Sequence, residues 1–171
     1  MDPVEAALVA ELARRSGLVW VTLGDPPRHH AVSHVWHDDA VWVVSGGGEQ
    51  PLPGIDHVHD AVLTLRSRAT RFTVARVRAT VETVPADDAR WDEAARVLLA
   101  DRLNVAGPDP LRRWATSATV SRLVPVEVLE APGRLGDGAQ REEPVASPAT
   151  TRTAGPWSLR RARKAPPPLS G

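Results

Sequence analysis

Between residues 18 and 129 the chain carries six runs rich in β-branched and aromatic residues, and two of the connections between them are too short to hold a crossover helix. The runs are residues 18–23, 31–36, 40–45, 61–66, 72–84 and 119–129. His37-Asp38-Asp39 separates the second from the third, and residues 67–71 separate the fourth from the fifth. Strands joined this closely pair as antiparallel hairpins, which argues against a doubly wound parallel sheet. In the fifth run the apolar set begins Phe72, Val74 and continues Ala75, Val77, Ala79, Val81, so the inward face changes parity near Ala75. A bulge or sharp bend does this, and barrels require such bends.

Helices flank these strands. Asp2, Pro3 and Glu5 stand in N-cap, N1 and N3 order, Val4, Leu8 and Leu12 recur at helical spacing, and Ser16-Gly17 ends the run, which predicts a helix over residues 3–15. A second helix is expected between the last two strands, capped by Asp87 or Asp88 and presenting Trp91, Ala94, Ala95, Leu98 and Leu99 as one stripe. Asp109-Pro110 opens a short third. The fold class is therefore mainly β with flanking helices.

The folded part is expected to occupy residues 1–130. Residues 131–171 hold 7 of the 16 prolines and 5 of the 12 glycines but few large apolar side chains, too little to offset the entropy of ordering them, so they read as a disordered tail. That tail has seven basic and three acidic residues, against fourteen and eighteen in the rest. An acidic domain is a poor grip for phosphate backbones, and no nucleic-acid partner is expected. The acidic start and the absence of a long apolar run predict a cytoplasmic protein without a membrane partner.

The chain has no cysteine, which excludes thiolate nucleophiles, disulfides and Cys-ligated metals. Six histidines fall within 31 residues: His29, His30, His34, His37, His57 and His59. No metal site is expected from them, because strand geometry divides them between faces and no HExxH signature accompanies them. Gly46-Gly47-Gly48 lacks the Lys and Ser/Thr of a P-loop, and no GxSxG elbow surrounds a serine. Trp20, Trp36 and Trp42 suit a barrel core, or a rim that stacks on a flat heterocycle. Arg66, Arg68 and Arg71 crowd one hairpin, as a solvated edge or an anion clamp.

The order of these elements, with the hairpin AVSHVWHDDAVWVVS, the loop SGGGEQPLPG, the strings LRSRATRF and AVLTLRSR, the long strand FTVARVRATVETV and the closing TVSRLVPVEVLE, resembles the pyridoxamine 5'-phosphate oxidase-like, FMN-binding split barrels over about residues 4–130. The resemblance implies a six-stranded antiparallel split β-barrel that dimerises and holds a flavin or deazaflavin in grooves at the interface. It would set His34 and Trp36 along the ring system and Ser45, Gly46, Gly47 and Gln50 at the phosphate end, with Arg68 and Arg71 reaching in from the next hairpin. The function so implied is an FMN-dependent oxidoreductase, with a deazaflavin coenzyme as the alternative cofactor, acting on a small-molecule substrate in a homodimer. Two other readings stay open: a non-catalytic split-barrel dimer, for which the acid Glu49 in the loop argues, and a heme-binding split barrel, for which the histidines argue.

Overall fold

The computed structural model describes residues 1–67, 73–102 and 107–131. Among these described residues seven strands follow in chain order: β1 Leu18–Leu23, β2 Arg28–Ser33, β3 Val35–His37, β4 Ala40–Gly46, β5 Asp60–Arg66, β6 Thr73–Val84 and β7 Ala118–Glu130. They form one sheet in the order β2-β1-β5-β6-β7-β4-β3, and every pairing is antiparallel. The helices are α1 Pro3–Arg15, α2 Trp91–Ala100 and α3 Pro110–Ser117, and Ile55–His57 forms a single 3-10 turn.

The two outermost strands of this sheet, β2 and β3, are consecutive in the chain and separated only by His34. Ser33 pairs with Leu18 of β1, whereas Val35 pairs with Trp42 of β4, so the chain changes partner strand across one residue. The sheet consequently curls into a split barrel whose two ends meet at the His34 corner. Here the expected single strand over residues 31–36 is corrected to two, and the expected six strands become seven. Alternating apolar residues report a buried face but not which neighbour a strand pairs with, so the corner is invisible to periodicity.

Other expectations hold in detail. Asp2 caps α1 by accepting from the N–H groups of Val4 and Glu5, both at 2.8 Å, and the Glu5 side chain accepts from the Asp2 N–H, completing a capping box. The β3–β4 hairpin turns through Asp38 and Asp39, both left-handed at φ 47° and 50°, the paired positive values a two-residue hairpin needs to match strand twist. The parity change in β6 is a bulge: Leu65 pairs with Ala75 and Arg66 with Thr73, leaving Val74 as the extra residue. At α2 the expected cap is corrected. The helix starts at Trp91 after Arg90, and Asp88 accepts the Arg90 N–H at 2.8 Å, making a turn ahead of the helix and not its cap.

Two apolar layers hold the sheet. Val41 and Val43 of β4 face a core with Val19, Val21, Val32, Leu63, Val77 and Leu123, closed by Val9 and Ala13 of α1. Ala40, Trp42 and Val44 face the opposite layer, where Trp91 and Leu98 of α2 and Trp114 of α3 pack. β4 is thus buried on both sides, consistent with its unbroken apolar run. The expected tail over residues 131–171 lies, apart from Ala131, outside the described residues.

Candidate functional site

Two adjoining cavities of about 320 and 300 Å³ open beside the barrel corner. Both are bordered by Gly17, His34, Val35 and Asp101; the first adds Ser33, Leu98 and Arg102, and the second adds the end of α1 with Ser16 and Trp36. Three elements distant in sequence therefore build the cleft: the end of α1 leading into β1, the corner itself, and the end of α2.

His34 is the buried polar residue at its centre, only 4 % exposed. Its Nε2 lies 3.0 Å from the Ala13 carbonyl oxygen, a contact that makes Nε2 the protonated nitrogen and leaves Nδ1 as an acceptor. Burial pushes the imidazole below its ordinary value of 6.5, against weaker opposing effects from the Ala13 bond and the Asp101 charge. Nδ1 has no partner, and neither do the buried Ser16 Oγ and Arg102 Nη2. Three buried polar atoms without hydrogen bonds around one cleft are unusual, because each costs roughly 1–3 kcal/mol when left unsatisfied.

The structure brings His34 and Trp36 of the sequence-derived set to this cleft. Trp36 is half-buried, with the Arg14 guanidinium 6.0 Å from its ring centroid. Ser45, buried on β4, pairs with Thr119 of β7. Gly46, the last residue of β4, and Gly47 turn the chain with φ of 73° and 57°. Gly47 sits so close to α3 that an added Cβ would come within 2.9 Å of Ser117 Oγ. The Gln50 side chain accepts the Ser33 N–H at 2.7 Å and donates to the carbonyls of Ser33 and Val44 at 2.8 and 3.3 Å. Arg68 and Arg71 lie outside the described residues. Of the other tryptophans, Trp42 is core at 2 % exposure, and Trp20 is half-buried under the Arg66 guanidinium.

Glu49 is not the solvated loop acid that its glycine-rich setting suggests. Its side chain is 5 % exposed; one oxygen bonds Arg102 Nη1, and the other accepts from Arg113 Nη2 at 2.9 Å and Trp114 Nε1 at 2.8 Å. Arg113 Nε also donates to the Gly47 carbonyl at 2.8 Å. Sequence reasoning missed Ser16, Arg102 and this cluster. Among the described residues no group of three His, Asp or Glu side chains is placed to hold a metal, and no helix is long and apolar enough to cross a membrane.

No family model matches the chain, and no curated protein matches it. Solved structures do. A pyridoxamine 5'-phosphate oxidase-related, FMN-binding protein from Nostoc punctiforme aligns with a TM-score of 0.52 at 16 % identity over 75 % of this chain and 84 % of its own. A FAD-binding protein from Mesorhizobium loti gives 0.52 at 12 % identity over 75 % and 92 %. The heme storage protein HutZ from Vibrio cholerae gives 0.53 at 11 % over 71 % and 89 %. At these identities the likeness establishes the fold: the chain has the split-barrel architecture of the pyridoxamine 5'-phosphate oxidase-like proteins.

Proposed function

We propose that the chain binds a flavin-type cofactor, FMN or a deazaflavin, in the His34 cleft and serves as an oxidoreductase. The observation that carries this reading is the trio of unpartnered buried atoms. Ser16 Oγ can donate, His34 Nδ1 accepts, and Arg102 Nη2 donates. A donor, an acceptor and a donor match in kind the carbonyl, N–H, carbonyl edge shared by flavin and deazaflavin rings, which supports that end of the group as the part held here. Porphyrin has no such edge, which favours the flavin reading over the heme one.

Trp36 supplies an aromatic wall. Arg14, bordering the second cavity, supplies positive charge for a phosphate, whereas Arg15 beside it is paired with Glu11. The Gly46–Gln50 turn serves the site through shape, since Gln50 holds Ser33 at the corner. When bound, a flavin or deazaflavin supplies hydride transfer. The chain's own residues orient the ring by its polar edge, and the neutral His34 accepts a hydrogen bond without itself exchanging a proton at neutral pH. A homodimer belongs to this proposal, and light scattering at micromolar concentration tests it.

Titrating FMN and the deazaflavin into the purified protein, with tryptophan and cofactor fluorescence as readouts, tests the cofactor. Saturable binding is expected, weakened about tenfold or more in His34→Phe, since loss of a buried hydrogen-bond partner is worth of that order. Absence of binding by either, or a Soret band from added hemin that His34→Phe abolishes, would overturn it.

A further inference from the structure

Arg102 is held on one edge and one face. Its Nη1 bonds Glu49, and its guanidinium carbon lies 5.6 Å from the Trp114 ring centroid. The side chain is 15 % exposed, its Nη2 is buried without a partner, and the residue borders the cleft. Glu49 is shared between Arg102 and Arg113, so one carboxylate faces two guanidinium groups. A carboxylate is the side chain suited to this place, because it has acceptor sites alone and here meets only donors: two guanidiniums and an indole N–H. An amide of the same shape would turn an NH2 group toward one of them.

We infer that Glu49 is a positioning residue for the cleft, fixing Arg102 so that its remaining Nη2 donor meets an oxygen of the bound ligand. The ligand class is a heterocycle with a carbonyl acceptor at that edge, which rests on the flavin reading above. The loop acid that at first sight speaks against an anionic cofactor thereby becomes part of what orients it. Such a preset guanidinium loses little further freedom on binding, and this is where its advantage over a solvated arginine lies.

The test compares wild type, Glu49→Gln, Glu49→Ala and Arg113→Ala, each checked for folding by circular dichroism and thermal unfolding. FMN affinity should fall about tenfold in Glu49→Gln and further in Glu49→Ala, and sodium formate should restore much of the loss in Glu49→Ala by refilling the carboxylate position. Arg113→Ala removes the other arginine partner of Glu49, a residue that borders neither cavity; it should lower the melting temperature and leave affinity within about twofold. Equal losses of affinity in Arg113→Ala and Glu49→Gln, or unchanged affinity in a folded Glu49→Gln, would overturn the inference by making the cluster purely structural.

A second readout needs no cofactor. In ¹⁵N spectra of labelled arginine side chains, the Arg102 guanidinium should show restricted rotation in wild type and free rotation in Glu49→Gln. If wild type binds neither cofactor, the flavin reading fails while these spectra still judge the clamp; identical spectra in both proteins would overturn it.

Discussion

Gln50 acts as a strand for Ser33: its side-chain amide accepts the Ser33 N–H and donates to the Ser33 carbonyl, the two bonds a neighbouring β-strand would make. It does so at the last β2 residue paired with β1, just before β3 meets β4. Gln50→Leu keeps the volume and removes both bonds and the one to the Val44 carbonyl, so it should destabilise the fold by about 1–3 kcal/mol, read by denaturant unfolding, and speed hydrogen exchange at the Ser33 amide.

Gly47 and Gly17 separate two reasons for a glycine. Gly47 has φ +57° and no room for a Cβ against Ser117 and Ala118, whereas Gly17 has open space and no positive φ. Gly47→Ala should cost about 1–3 kcal/mol or more, and Gly17→Ala should be close to neutral in thermal unfolding.

His34 makes stability depend on pH. Its folded value lies below the ordinary 6.5 because burial disfavours the imidazolium. Below 6.5 the unfolded chain takes up a proton that the native state refuses, so this residue's contribution is complete above that pH and is lost as pH falls toward the folded value. Unfolding midpoints for wild type should therefore drop between pH 7 and 5 more steeply than those of His34→Phe.

Arg90 bridges Asp88 and Glu82 on the surface, with contacts of 2.7 and 2.6 Å. Hydrogen bonds from its side chain and backbone hold the Asp88 carboxyl down at about 2, and its side chain lowers Glu82 as well. In an NMR pH titration Asp88 should stay ionised well below pH 3.8, its ordinary value, and return toward it in Arg90→Ala. The linked stability is present above that value and disappears on further acidification.

What could be read from the chain depended on how far apart the interacting residues lie. The Asp2–Glu5 capping box, the Asp38-Asp39 turn and the parity change beside Val74 are local, and each carried its own chemical signature. The resemblance named His34 and Trp36 together, and both border one cleft because they sit in a single short segment. The role of Glu49 was not legible, because its partners Arg102 and Arg113 lie 53 and 64 residues downstream and nothing near Glu49 announces them. Ser16 and Arg102 escaped notice for the same reason: each ends or follows a helix, where polar residues are ordinary, and only the folded chain sets them around one space.

The cleft's walls come from residues 13–17, 33–36 and 98–102, so no partly folded segment contains it. Folding must come first and loading second, and a chain that unfolds anywhere around the barrel corner releases what it holds. Any cofactor bound there stabilises the whole domain as one unit, by about 2.7 kcal/mol at a hundredfold excess over Kd. Cofactor supply would then govern how long the protein survives in a cell as much as how fast it works.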